Sequence, residues 1–261
     1  MKKDVLLFII DMQYDFCLPD GALYVNGAEK DAERLARFIR ANTEVIDHII
    51  MTQDNHNVID ISHPGYWEDM DGNHPLPFTH ISASDVKAGL WKPCFEKEKA
   101  VSYIRSLEEQ GEFPHVIWPE HCIIGSRGAA IVDEVLEPVK TWSRKGRLFD
   151  LVIKGTNPLT EHFGALRANI PIENAPETQL NTKLVNKLGE FKIIMIAGEA
   201  RSHCVATTIK QMLNIGDLSR RLVIMEDCMS DVTGFETLAL QIYEDAKRKG
   251  ASFVRSTVWM R

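Results

Sequence analysis

Short apolar runs rich in β-branched residues recur along this chain, and segments with helical periodicity separate them. Residues 5–10, 45–51, 148–153, 191–197, 221–225 and 252–255 read as strands. Residues 28–41, 96–110, 129–142, 177–188, 205–213 and 235–249 read as helices. The central runs are apolar without alternation, as strands are when helices cover both faces of a parallel sheet. Strand alternating with helix therefore predicts a largely parallel α/β sheet in one domain over residues 1–261. At 261 residues the chain can bury a large core. The region around 57–115 breaks the rhythm with Pro64, Pro75, Pro77 and Pro93 among many Asp, Asn and His residues. It reads as a long insertion, and loops of this length are usually functional.

Composition narrows the function classes. The net charge is −7 and no basic patch is evident, which argues against nucleic acid as a partner. No apolar run reaches membrane-spanning length, and the N-terminus enters a strand without a signal-peptide pattern. Five scattered cysteines without a CxxC pair suit reduced thiols in a cytoplasm. The expected partner is a small molecule, bound by a homo-oligomer.

Three reactive side chains end three of the predicted strands: Asp11, Lys154 and Cys204. Ligands of open α/β sheets bind at that edge. Cys204 stands at a strand-to-helix turn, where unpaired backbone N–H groups favour an anion and lower a thiol pKa. A lone buried cysteine is more often a small hydrophobe. A carboxylate, an ammonium and a thiol at one edge make a nucleophile the better reading. Asp54 and His56 lie two apart, so in extended backbone both side chains point the same way. With His121 they offer one carboxylate and two imidazoles, a set that suits Zn, Fe or Mn.

The motifs around these residues resemble those of the isochorismatase-like cysteine hydrolases, and among them the nicotinamidases. Asp11-Met12-Gln13-Tyr14-Asp15-Phe16 is similar to the family's opening motif. Asp54-Asn55-His56 is similar to its metal motif, with Asn55 in place of an aromatic residue. Trp118-Pro119-Glu120-His121-Cys122, Ile153-Lys154-Gly155 and Gly198 to Val205 follow in the family's order. The resemblance implies a three-layer α/β/α fold on a six-stranded, mainly parallel, doubly wound sheet, with the first strand beside the fourth. It implies an Asp11–Lys154–Cys204 triad, an oxyanion hole from Ala200 and Cys204, and a cis peptide between Glu199 and Ala200. It further implies one divalent metal ion on Asp54, His56 and His121, with His63 a further candidate ligand, and Phe16 and Trp118 flanking the substrate.

The expected activity is hydrolysis of the C–N bond of a small amide through a thioester, with nicotinamide the leading substrate. A related small-amide or carbamoyl amidohydrolase on the same triad is the alternative. From other classes, a catalytically inactive metal-bearing binding protein and a redox sensor built on Cys204 are weighed. The intact triad opposes the first, and the lack of an evident resolving cysteine opposes the second. The segment from His63 to Trp91, stiffened by prolines, is expected to reach over the substrate slot as a fixed lid. Glu161, His162 and Arg167 carry no assigned role.

Overall fold

The first strand, β1 (Lys3–Ile10), buries six consecutive side chains from Val5 to Ile10. Each apolar side chain taken fully out of water contributes about 1.5–3 kcal/mol, so this run belongs at the centre of a sheet. In the computed structural model, which describes residues 3–257, it lies there. The short helix α1 (Tyr14–Cys17) and α2 (Ala28–Ala41) follow, then β2 (His48–Asp54). The insertion holds the two-residue strands β3 (Trp67–Glu68) and β4 (Lys92–Pro93), with helices α3 (Ala83–Ala88) and α4 (Lys97–Glu109). The chain continues with α5 (Asp133–Ser143), β5 (Phe149–Lys154), α6 (Thr182–Leu188) and β6 (Phe191–Gly198). It closes with α7 (Ala206–Met212), β7 (Leu222–Met225), α8 (Leu240–Arg248) and β8 (Ser252–Val254).

Six strands pair in the order β5-β2-β1-β6-β7-β8, every pair parallel. One core fills the face covered by α2 and α5, around Leu35, Phe38, Val135 and Trp142. The other lies under α6, α7 and α8, around Leu184, Ile209 and Tyr243. This is the three-layer, doubly wound arrangement. The insertion keeps a third, smaller core of Tyr66, Trp67, Tyr103 and Ile104. Among the described residues, no helix is long and apolar enough to cross a membrane.

Several boundaries differ from the sequence reading. The helix expected over 177–188 is split into a 3-10 turn at Pro176–Thr178 and α6, because the Asn181 side chain caps Leu184 N at 2.9 Å. The helix expected from 235 begins at Leu240, after turns that follow the left-handed Gly234. The strand expected from Val45 starts at His48, since residues 42–46 form a turn closing on Asn42.

Candidate active site

Four adjacent strands end at one place, and residues at or just beyond those ends build the site. Asp54 and Lys154 are register partners on the final rung of β2 and β5, and Ile10 faces Gly198 across β1 and β6. Asp11 leaves β1 with φ 42°, an uncommon conformation for a residue with a side chain. Thr52 holds it there: its Oγ1 accepts from Asp11 N at 3.0 Å and donates to Asp11 Oδ1 at 2.5 Å. Thr52 lies just past the run read as a strand, 45–51, and nothing in the sequence marks it for this role; the strand in fact extends to Asp54.

Lys154 is fully surrounded, and its ammonium lies 2.9 Å from Asp11 Oδ2, 3.2 Å from Asp54 Oδ1 and 3.7 Å from Cys204 Sγ. The two carboxylate oxygens receive no well-directed hydrogen bond, so Lys154 reaches them chiefly as a charge. Burial alone would lower the lysine pKa, but Asp11 and Asp54 outweigh it and hold the ammonium well above its usual range. Burial, helped by the charge of Asp54, raises the Asp11 pKa against the pull of Lys154. Asp54 stays strongly ionised: His56 and Lys154 overcome its desolvation.

Cys204 sits within a π-helical turn, Arg201–Val205, that runs into α7. A place at a helix N-terminus predicts a lowered thiol pKa. Instead, burial pushes the thiol well up, with Lys154 opposing and Asp11 and Asp54 adding to the rise. The resting group is a thiol next to a base. The Glu199–Ala200 peptide is cis, and the Ala200 N–H has no hydrogen-bond partner among the described residues.

A second cluster adjoins the first. Asp54, His56 and His121 can each offer one ligand atom, all within 4.8 Å of one another, and all three residues are buried. Burial and the neighbouring His56 push His121 down to about 3, which leaves a neutral imidazole able to ligate. His56 lies 3.1 Å from both Asp54 Oδ2 and Asp60 Oδ2. Burial opposes a charge on it, but the two carboxylates prevail and raise its pKa well up. That pair of anions favours a cation at this point, whether a proton or a metal ion. The donor set thus fits a divalent metal. His63 is buried beside the cluster, its Nε2 3.4 Å from His121 Nδ1 and its ring 5.3 Å from that of His56. Gln13 braces the cluster by bonding both backbone groups of Asp54, at 2.7 Å each.

Between the clusters lies a narrow cavity of about 30 Å³, room for one or two water molecules. Phe16, Trp118, Ala200, Cys204, Asp54 and His121 line it. Leu23, Glu161, Phe163, His203 and Val232 complete it, and nothing in the sequence marks these five as pocket residues. The His203 ring packs 5.1 Å from Trp118 and 5.3 Å from Phe163, and burial lowers its pKa to about 3. Glu161 accepts from Trp118 Nε1 at 3.3 Å, and burial raises it to about 8. The expected lid does not cover the slot. No residue from 63–91 lines the cavity, and Phe78 instead backs Trp118 from outside with ring centroids 5.9 Å apart. Backbone pairing of Phe78 and Thr79 with Ile117 fixes the segment there.

No family model matches the chain. The nicotinamidase of Saccharomyces cerevisiae is 22% identical over 251 residues, covering 95% of this chain and 98% of that protein. The structure of the yeast enzyme bound to the inhibitor nicotinaldehyde aligns with a TM-score of 0.67 at 18% identity, over 96% of this chain and 99% of that one. An Acinetobacter baumanii nicotinamidase aligns with a TM-score of 0.66 at 18% identity, over 99% of both chains. A pyrazinamidase of Pyrococcus horikoshii in complex with zinc aligns at 0.58 and 20% identity, over 97% and 99%. The chain has the isochorismatase-like hydrolase fold. Within that fold its likeness is to the nicotinamidases and pyrazinamidases, end to end.

Proposed function

We propose that this protein is a cysteine amidohydrolase acting on a small planar amide, with nicotinamide, cleaved to nicotinate and ammonia, as the leading substrate. The observation that carries the reading is the single ammonium of Lys154 touching both the Asp11 carboxylate and the Cys204 sulfur beside a free Ala200 N–H. The relatives' names support the substrate, and so does a slot walled by Phe16 and Trp118.

In the reaction, Cys204 Sγ attacks the amide carbonyl as its proton passes to Asp11. A carboxylate with a raised pKa is the better base for that transfer. Lys154 offsets the charge on the pair. The Ala200 and Cys204 N–H groups donate to the oxyanion, where one such donor is worth about 10²–10³ in rate. Asp11 then returns the proton to the leaving nitrogen, ammonia departs, and a thioester remains. Water, deprotonated by Asp11, cleaves the thioester to the acid and restores the thiol. Asp54, His56 and His121 would hold one divalent ion, Zn, Fe or Mn, with His63 within reach as a further donor. When bound, that ion supplies an electrophilic anchor for a ring nitrogen.

The cavity is small, so a pyridine ring enters only as its walls give way. Ammonia release from nicotinamide, measured beside a panel of smaller amides in metal-replete protein, tests the reading. A kcat/KM of about 10⁴ M⁻¹s⁻¹ or more on nicotinamide is expected. Activity that survives in Cys204→Ser and Asp11→Asn would rule the mechanism out.

A further inference from the structure

Glu199 stands directly before Ala200, is fully buried, and does not line the cavity. Its side chain meets a different set of groups. Ser230 N donates to Glu199 Oε2 at 3.1 Å, while Ser230 Oγ donates to Asp31 Oδ2 at 2.5 Å. Asp31, in the first turn of α2, also accepts from the Arg34 guanidinium. Among the described residues Glu199 Oε1 has no donor, and the Asp31 carboxyl lies within hydrogen-bonding reach of Glu199.

Two carboxylates in contact in a dry interior cannot both stay ionised without a cation between them. The guanidiniums nearby are engaged elsewhere: Arg34 pairs with Asp31, and Arg201 with Asp231 at 2.8 Å. The remaining titratable neighbours are Cys17 from α1 and Tyr243 from α8, neither of them a cation. One proton turns the contact into a short, charge-assisted hydrogen bond. Asp31 already has two donors, so the proton belongs on Glu199. Burial, reinforced by Asp31, indeed pushes the Glu199 carboxyl well above the carboxylate range.

The backbone around this pair is tied on both sides. Glu199 N donates to Ile10 O at 2.9 Å, and Arg201 N donates to Ser230 O at 2.8 Å. Ala200 stands between these anchors with its N–H free.

We propose that Glu199 is a positioning residue: as a neutral carboxylic acid it bridges Asp31 and Ser230, and so fixes the Ala200 N–H at the rim of the Cys204 cavity. The proposal rests on Cys204 being the acylated nucleophile. The test compares Glu199→Gln, which keeps a donor and an acceptor, with Glu199→Leu, which keeps bulk and has neither. The burst of p-nitrophenol from p-nitrophenyl acetate reports acylation without the amide-binding site, and iodoacetamide reports thiol reactivity without an oxyanion.

In Glu199→Leu the burst rate per folded molecule should fall about 10²-fold, the scale of a misplaced oxyanion donor, while alkylation of Cys204 keeps its rate. Glu199→Gln should stay near wild type in both. A wild-type burst rate in Glu199→Leu overturns the proposal, as does an equal loss in Glu199→Gln. If the Leu variant does not fold, infrared spectroscopy decides. A C=O band of a protonated carboxyl at neutral pH that vanishes in Glu199→Gln supports the proposal, and its absence from wild type overturns it. A wild-type protein that gives no burst from Cys204 counts against the amidohydrolase reading, while the infrared band still judges Glu199.

Discussion

Lys154 and Asp54 pair at 3.2 Å on the last rung of β5 and β2, which joins the nucleophile set to the metal-capable set through one buried ammonium. Neither set can be altered at this point without the other sensing it.

Lys154→Met keeps length and removes the charge, leaving Asp11 and Asp54 without the ammonium that both share. Breaking a buried pair by deleting one partner costs about 3–5 kcal/mol. The variant should lose that much stability in urea unfolding and hydrolyse amides at least 10²-fold more slowly per folded molecule. Unchanged unfolding would mean that the carboxylates neutralise without the lysine.

His56→Ala should abolish bound metal, while Asp60→Asn should only weaken it. Asp60 touches His56 Nδ1 and is not one of the three donors Asp54, His56 and His121, and partners of that kind typically cost 10–100-fold in affinity. Elemental analysis across a chelator series measures both. Full metal content in His56→Ala would remove it from the ligand set.

Gly155 follows Lys154 with φ 77°, and a Cβ there would meet Asp54 Oδ1 at 2.3 Å. Gly155→Ala therefore pushes on the carboxylate that both clusters share, besides a left-handed cost of about 1–2 kcal/mol. Metal content and amide turnover should fall together in a protein that remains folded by circular dichroism. Turnover lost with metal retained would confine the damage to Lys154.

Glu199 gives a pH signature in stability. Its pKa is raised in the folded protein, so the folded state holds a proton that the unfolded chain releases above the ordinary carboxylate value. Its contribution is complete below that value and declines as pH rises towards the folded pKa. Glu199→Gln cannot ionise. Its stability relative to wild type should therefore grow with pH over that window, by at most about 1.4 kcal/mol per unit. Parallel pH profiles of thermal unfolding would contradict a protonated Glu199.

The strands that carry Asp11, Asp54 and Lys154 were legible because each is a local pattern. A run such as Val5–Ile10 is apolar for its own burial, and the reactive residue stands where that run stops. Helix α2 was read to its ends for the same reason, an apolar stripe of Leu35, Phe38 and Ile39 with polar residues opposite. The motifs gave the order of the site along the chain.

Lateral contact is what local pattern does not hold. That β5 lies beside β2, and so brings Lys154 to Asp54, depends on crossovers whose packing involves the whole sheet. Leu23, Phe163 and Val232 come from three separate loops and His203 from the π-helical turn, and none has a spacing that announces a pocket wall. The insertion reads as a lid by composition, yet pairing with Ile117 turns it to the back of Trp118. Cys204 shows the divide most plainly. Its position at a strand-to-helix turn was written in the sequence, but its pKa was decided by burial, since desolvation by the assembled core outweighs the nearby ammonium. Local pattern marks which residues stand at or near the strand ends; tertiary packing sets which of them meet, how dry they are, and which hold a proton.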